Sequence, residues 1–276
     1  MLKIVFDLTQ FERVEIVPIA DVHIGNILCD IQALHDIISY VAKEPDDPSC
    51  ARICVLNGDL TESVTRKSVG NIFDMTMTPQ IQVATMIEML KPLTEPSEKY
   101  PQGKILSYCG GNHDVDRYKD TGITSAEAIA CGLGIEDRYS SDGCYSFIKL
   151  RKIQSPEKTA VCTCYNQHMN GGGISIGGKA NRAARMGLNG GILADVCIGS
   201  HVHQPMTFKE DAFVPVLSKT ALMQKTITYV VTNAFLRYGD YSQRSGMKPS
   251  TIAVPKIFIS QDRYKGDRYI NVEVLL

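Results

Sequence analysis

The sequence predicts an α/β fold, and three observations in its first half lead to that prediction. Apolar segments typical of strands alternate there with amphipathic segments typical of helices. The strand segments are largely apolar, as expected of strands that are covered on both faces of a parallel sheet. Each of them also runs into a cluster of polar residues, and in such sheets ligands bind outside the carboxyl ends of the strands.

The individual elements of the first half follow from spacing and helix signals. Apolar residues recur with helical spacing over 31–41, and Pro79 suits the first turn of a second helix. A third helix is predicted over 126–133. Strands are predicted over 3–8, 14–20, 51–56 and 104–109.

The second half is predicted to contain more strands than helices. Strands are expected over 145–150, 160–165 and 194–198, a helix over 179–188, and short strands beyond them. Because we find no internal repeat, linker or low-complexity tract, a single domain over 1–276 is expected.

Composition places the chain among ordinary globular proteins, with 44% hydrophobic and 21% charged residues. A net charge of −1 excludes a broadly basic nucleic-acid surface but leaves local basic patches open. No apolar run approaches the about 20 residues of a membrane helix, and no signal-peptide pattern opens the sequence. The nine cysteines follow no disulfide framework. These features predict a cytoplasmic protein with reduced thiols and no membrane partner, and they leave its oligomeric state open.

Side chains that bind metals are concentrated at the predicted strand ends. Five of the six histidines lie there, and only His35 does not. A single histidine has many roles, but five at equivalent positions, with carboxylates and an amide beside them, favour one shared site. The candidate ligands are Asp21, His23, Asp59, Asn112, His168, His201 and His203.

The residue types in this set favour divalent metal ions. Imidazole and carboxylate together suit Zn, Fe or Mn, and the set contains no Cys, which argues against a structural zinc site. Seven ligands are too many for one tetrahedral ion but suffice for two ions that share a carboxylate. Paired ions clamp a phosphoryl group and lower the pKa of a bound water. The members of the pairs Asp21/His23 and His201/His203 are two positions apart, so on regular strands each pair would face one side.

The order of these motifs resembles the calcineurin-like metallophosphoesterase superfamily, whose pattern is D-x-H, G-D, G-N-H-[DE], H and G-H-x-H. The matching segments are 21–23, 58–59, 111–114, 168 and 199–203. The last one has an extra residue, Ser200, and Met169 follows His168 where many relatives have glycine. The resemblance covers about residues 14–205, and the segments 170–186, 199–205 and 231–246 resemble a bacterial and phage subgroup. It implies a four-layer α/β/β/α sandwich of two mixed sheets with a dinuclear metal site at the carboxyl ends of strands.

The resemblance also implies a role for each candidate residue. One ion takes Asp21, His23 and His203, the other takes Asn112, His168 and His201, and Asp59 bridges them. A water or hydroxide between the ions attacks phosphorus in line, while His113 acts as general acid and Asp114 orients it. Two divalent ions are implied, with Mn favoured and Fe, Zn or Ni as alternatives.

The substrate is implied only as a class. The D-x-H-x-G form of residues 21–25 is shared with recombination-repair nuclease subunits and small-nucleotide phosphodiesterases, so a phosphodiester such as DNA, RNA or a nucleotide is expected. A phosphomonoesterase is the alternative, and a non-catalytic scaffold is a third hypothesis. Arg117, Lys179 and Arg182 are candidates for phosphate contact, with a solvated surface as the alternative. The glycine-rich loop 170–178 either cradles a phosphate or is a plain connection.

Overall fold

The computed structural model describes residues 1–64, 72–114, 122–152, 155–171, 175–216, 220–239, 249, 251–264 and 267–276. Its strands are β1 (Leu2–Leu8), β2 (Arg13–Ile19), β3 (Cys50–Asn57), β4 (Ile105–Cys109), β5 (Tyr139–Ser140), β6 (Cys144–Lys152), β7 (Ser155–His168), β8 (Val196–Ser200), β9 (Met206–Val216), β10 (Ala221–Val231), β11 (Lys256–Tyr264) and β12 (Asp267–Leu275). The helices that cover the sheets are α1 (Ile31–Ala42), α2 (Pro79–Leu90), α3 (Ser125–Leu133) and α4 (Ile176–Met186).

Two mixed sheets of six strands each lie at the centre of the molecule. Sheet I has the order β1-β6-β7-β8-β10-β9, and sheet II has the order β12-β11-β2-β3-β4-β5. In sheet II, β2, β3, β4 and β5 run parallel. In sheet I, β7, β8 and β10 run parallel. The carboxyl ends of neighbouring parallel strands therefore come together within each sheet.

Three hydrophobic clusters separate four layers. One cluster lies between the sheets, where Ile16 and Val55 of sheet II and Ile148 of sheet I belong to one group of buried side chains. Helices α1, α2 and α3 cover the other face of sheet II through residues such as Leu34, Met86 and Ile129. Helix α4 covers sheet I through Ala183 and Met186. The predicted α/β/β/α sandwich with two mixed sheets is confirmed.

The helices begin where the sequence supplies a capping side chain. Asp30 accepts a hydrogen bond from Ala33 N at 3.1 Å, and Thr124 accepts one from Glu127 N at 3.0 Å. Thr78 precedes Pro79 and caps α2 in the same way. Such side-chain oxygens satisfy backbone donors that the first turn of a helix leaves unpaired.

The strands of the second half are longer than predicted. The strand expected over 160–165 runs to His168, so this candidate ligand is the last residue of β7 itself. The short strands expected near the C-terminus are two long hairpins, β9–β10 and β11–β12. Half-buried and exposed residues alternate in β9, and the charged residues 209–211 interrupt it, so no apolar run marks its full length. Among the described residues no helix is both long and apolar enough to cross a membrane.

A buried ion pair anchors the carboxyl end of α1 to sheet II. Arg52 Nε lies 2.6 Å from Glu15 Oε2, and Tyr40 OH donates to Glu15 Oε1 at 2.6 Å. Arg52 Nη1 also donates to the carbonyl oxygens of Tyr40 and Lys43. These carbonyls lie at the helix end, where the helix supplies no partner of its own.

Replacing Arg52 by Ala is expected to lower the free energy of unfolding by about 3–5 kcal/mol, because Glu15 is left charged, buried and without its cation. The matched control is Arg13→Ala, which breaks the exposed Arg13–Glu273 pair at 3.0 Å. An exposed pair contributes less than about 1 kcal/mol. Urea unfolding of both variants measures the difference, and equal losses would contradict a special role for the buried pair.

Candidate metal centre

All seven candidate ligands meet at the carboxyl ends of strands from both sheets. Asp21 and His23 follow β2, Asp59 follows β3, and Asn112 follows β4. On the other sheet, His168 ends β7, while His201 and His203 follow β8. Among the described residues, three groups of His, Asp or Glu side chains place their ligand atoms within 4.8 Å of one another. Two of these groups consist of candidate ligands only.

The first of these clusters consists of Asp21, His23 and His203. His203 Nε2 lies 3.4 Å from Asp21 Oδ1 and 3.4 Å from His23 Nε2. The Asp21 carboxylate is also held in place by a backbone donor, because His201 N donates to its Oδ2 at 2.8 Å. The ring nitrogens and the carboxylate thus converge on one point.

The second cluster consists of Asp59, His168 and His201, with Asn112 beside it. His168 Nε2 lies 3.2 Å from Asp59 Oδ2 and 3.0 Å from Asn112 Oδ1. The same Asp59 Oδ2 lies 4.0 Å from His23 Nε2 of the first cluster. Asp59 therefore stands between the two clusters.

The ligand residues have a backbone geometry that regular strands do not allow. Five of them have positive φ: Asp21 at 49°, His23 at 50°, Asp59 at 50°, His201 at 84° and His203 at 55°. The expectation that strand alternation aligns the two pairs is wrong, because β2 ends at Ile19 and β8 at Ser200. The members of each pair are instead brought together by turns in which the ligand residues have left-handed backbone conformations. A non-glycine residue in this region costs about 1–3 kcal/mol, and such strain is typical of functional sites.

Close approach of the loops also requires glycine at two positions of the motifs. A Cβ on Gly111 would lie 2.1 Å from Asp59 Oδ1, and one on Gly58 would lie 2.6 Å from His168 Nδ1. Any side chain at either position would push a candidate ligand aside.

Charge in this site is partly balanced by histidines. Burial by itself raises the pKa of Asp59, but the charges of His168 and His23 outweigh it and hold this pKa well below its usual range. Burial lowers the pKa of His168, yet Asp59 and Asp21 raise it overall to about 9. The positive charge of one protonated imidazole thus offsets only part of the charge of two ionised carboxylates. A divalent cation fills the same role, so the donor set fits metal ions.

The ring of His201 is in the form that binds a metal. Burial and the charge of His168 lower the pKa of His201 to about 4. At neutral pH this imidazole is therefore uncharged, with one nitrogen carrying a lone pair.

A buried polar network that sequence analysis missed supports the second cluster from below. Asn57 Nδ2 donates to Ser200 Oγ at 3.0 Å, and Asn57 Oδ1 accepts from Asn166 Nδ2 at 3.1 Å. Ser200 Oγ lies 2.8 Å from His168 Nδ1. The extra residue of the last motif thus contacts a candidate ligand. The available signal was an asparagine that ends an apolar strand, since a buried amide needs partners.

His113 and Asp114 lie in one turn but contact different partners. His113 Nδ1 lies 3.0 Å from the backbone oxygen of Glu62, and its ring meets the His23 ring edge-on at 4.7 Å. Asp114 Oδ2 accepts from Gly111 N at 2.7 Å. The described contact that orients His113 is therefore the Glu62 carbonyl and not the expected Asp114, because the Asp114 carboxylate closes its own turn. Burial and the charge of Asp59 raise the pKa of Asp114 to about 7.

The residues predicted to contact substrate have other partners or lie outside the described residues, as Arg117 does. Lys179 Nζ donates to Val202 O at 3.1 Å, between His201 and His203. Arg182 Nη1 donates to Asn170 O at 2.6 Å, in the loop that follows His168. Helix α4 thus holds the loops after two ligand-bearing strands.

An open cleft of about 260 Å³ lies on the α4 side of the end of β7. Arg182 and Arg185 line it together with uncharged side chains from both elements. Two guanidinium groups make this cleft a cationic neighbour of His168.

Comparison with known proteins gives structural similarities only, since no family model and no curated protein sequence matches the chain. Vacuolar Protein Sorting 29 from Cryptosporidium Parvum aligns over 95% of this chain and 98% of its own, with 9% identity and a TM-score of 0.40. A metallophosphoesterase from Sphaerobacter thermophilus aligns over 95% and 88%, with 13% identity and a TM-score of 0.34. Similarities of this size do not indicate the function of this chain, which has to be inferred from its own site.

Proposed function

We propose that this chain is a metal-dependent phosphoesterase of the calcineurin-like metallophosphoesterase superfamily. One observation carries the proposal: Asp59 Oδ2 lies 3.2 Å from His168 Nε2 in one cluster and 4.0 Å from His23 Nε2 in the other. A single carboxylate that serves two imidazole clusters is the arrangement that a pair of ions requires.

The proposal assigns the described side chains to two ions. Asp21, His23 and His203 would hold one, and His168, His201 and Asn112 the other, with Asp59 shared; Mn is the proposed metal. When bound, such ions neutralise charge on a phosphoryl group and lower the pKa of a water. Because the ligands come from both sheets, the chain holds the site rigidly and orients a phosphate ester at the sheet ends.

His113 is proposed as the proton donor to the leaving group. Its Nδ1 faces a carbonyl oxygen, which only accepts, so Nδ1 carries a proton. Proton exchange with a substrate then falls to Nε2, on the other side of the ring. His113 N also donates to Asp59 Oδ1 at 2.9 Å, which ties this ring to the shared carboxylate.

We further propose that the substrate is a phosphodiester of a nucleic acid or nucleotide. The cleft beside β7 supports this, because Arg182 and Arg185 provide positive charge for a second phosphate. A phosphomonoesterase is the second candidate, since the two clusters alone suffice for a single phosphoryl group.

With Mn²⁺ added, kcat/KM for bis-p-nitrophenyl phosphate is expected to exceed that for p-nitrophenyl phosphate by about tenfold or more, or about 1.4 kcal/mol in the barrier. Single-stranded DNA and cyclic nucleotides then separate nuclease from nucleotide phosphodiesterase. Chelated protein is the control. A preference for the monoester would replace the diesterase by a phosphatase, and two bound ions without hydrolysis of either ester would favour a scaffold.

A further inference from the structure

Glu62 contacts two histidines that have different proposed roles. Its carboxylate Oε2 lies 2.9 Å from His23 Nδ1, and its backbone oxygen lies 3.0 Å from His113 Nδ1. Glu62 and His23 are 7% and 3% exposed, so water screens their contact little. A carboxylate buried this deeply requires a partner that compensates its charge.

The backbone fixes Glu62 in register with the loop that carries His23. Glu62 N donates to Ile24 O at 3.1 Å, and His23 N donates to Asp59 O at 3.0 Å. Ile24 also forms an isolated parallel bridge with Thr61. Backbone hydrogen bonds therefore join the loop after β2 to the loop after β3. These bonds fix the distance between Glu62 and His23.

The two nitrogens of His23 face opposite ways. Nε2 faces the site, 3.4 Å from His203 Nε2 and 4.0 Å from Asp59 Oδ2, whereas Nδ1 faces Glu62. Histidines that bind metals commonly donate their second N–H to a carboxylate. Within the described residues His23 Nδ1 has no hydrogen bond of standard geometry, so the Glu62 carboxylate acts on it as a buried ion-pair partner at 2.9 Å. Its negative charge favours a proton on Nδ1 and makes Nε2 a better ligand.

We propose that Glu62 is a positioning residue that holds His23 with Nε2 toward the ion of the Asp21–His23–His203 cluster, and so raises the affinity of that ion selectively. The inference rests on the proposed metal site but not on the reaction catalysed there. Because the contact with His113 is made by the backbone, side-chain substitution leaves it in place.

The alternative role of Glu62 is to bind a metal ion directly. His23, Glu62 and His113 form a third cluster with ligand atoms within 4.8 Å. As a ligand, Glu62 would need its charge. As a positioning residue it needs only an acceptor for Nδ1–H, which the amide oxygen of glutamine also provides. Gln and Ala variants therefore distinguish the two roles.

The experiment is a calorimetric titration of the full chain with Mn²⁺, for wild type, Glu62→Ala, Glu62→Gln and the exposed control Glu273→Gln. In Glu62→Ala we expect one of two sites to weaken by about 10–100-fold while the other keeps its affinity. Glu62→Gln should recover most of the loss, and Glu273→Gln should match wild type. Thermal melting of the metal-free variants checks that the fold is kept.

Several outcomes would overturn the inference. Wild-type affinity at both sites of Glu62→Ala excludes a positioning role, and equal loss in the Gln and Ala variants indicates a direct ligand instead. Parallel weakening of both sites with a lowered melting temperature indicates a purely structural role. A wild-type chain that binds no Mn²⁺ overturns the metal site and this inference together. A chain that binds two ions, loses affinity at one site only in Glu62→Ala and has no phosphoesterase activity would give a different result. It would support the positioning role of Glu62 and overturn the proposed function alone.

Discussion

Replacing Asp59 by Asn is expected to weaken both metal ions together, each by more than about 100-fold, beyond the 10–100-fold typical of losing a supporting partner. Asp59 Oδ2 faces His168 Nε2 at 3.2 Å and His23 Nε2 at 4.0 Å, so one substitution affects both clusters. Asparagine removes the negative charge and can place an N–H group where an acceptor is required.

The fold should survive this substitution. Asp59 Oδ1 accepts from His113 N, and an amide oxygen at the same place accepts equally well. Asp142→Asn, at an exposed loop position, is the matched control for the loss of one carboxylate. Mn²⁺ titration and metal content after dialysis measure the effect. Two ions bound as tightly as in wild type would rule out the bridging assignment.

That the candidate ligands lie together was predictable from the sequence, because buried strands end abruptly in polar residues. At Asn112, for example, the chain leaves the apolar strand β4, and such an exit marks the edge where parallel strands meet. The α/β class was predictable for a related reason, since apolar strands and amphipathic helices must cover one another. The four-layer arrangement of two mixed sheets was implied by the resemblance alone.

What the sequence could not supply was the set of contacts between distant loops. Left-handed turns at Asp21 and His201 override strand alternation. The sequence does not predict these turns, because neither position has a glycine, the residue that favours positive φ. Glu62 resembles any surface acid until the loop of His23 is placed beside it. Lys179 stays a predicted substrate contact, and nothing in the sequence indicated that its ammonium group donates to the carbonyl of Val202 at 3.1 Å.

Replacing His113 by Ala is expected to leave metal content near wild type and to lower kcat by about 10²–10⁴-fold, the usual contribution of a general acid. His113 belongs to neither proposed ion set, and its Nδ1 is held by the Glu62 carbonyl. The loss should be smallest for p-nitrophenyl esters, whose leaving group departs without a proton. It should be largest for esters with alkoxide leaving groups, such as those of nucleosides.

The pH dependence of kcat provides a second, independent test of His113→Ala. Burial lowers the pKa of His113, but the charges of Asp59 and Glu62 outweigh it and raise this pKa above the ordinary value. A general acid must carry its proton to donate it, so wild-type kcat should fall on the alkaline side of the His113 pKa. In His113→Ala that decline should disappear, whereas His35→Ala, at an exposed position of α1, should keep it. An emptied metal site in His113→Ala would instead make this residue a ligand, because a proton donor can be removed without releasing the ions.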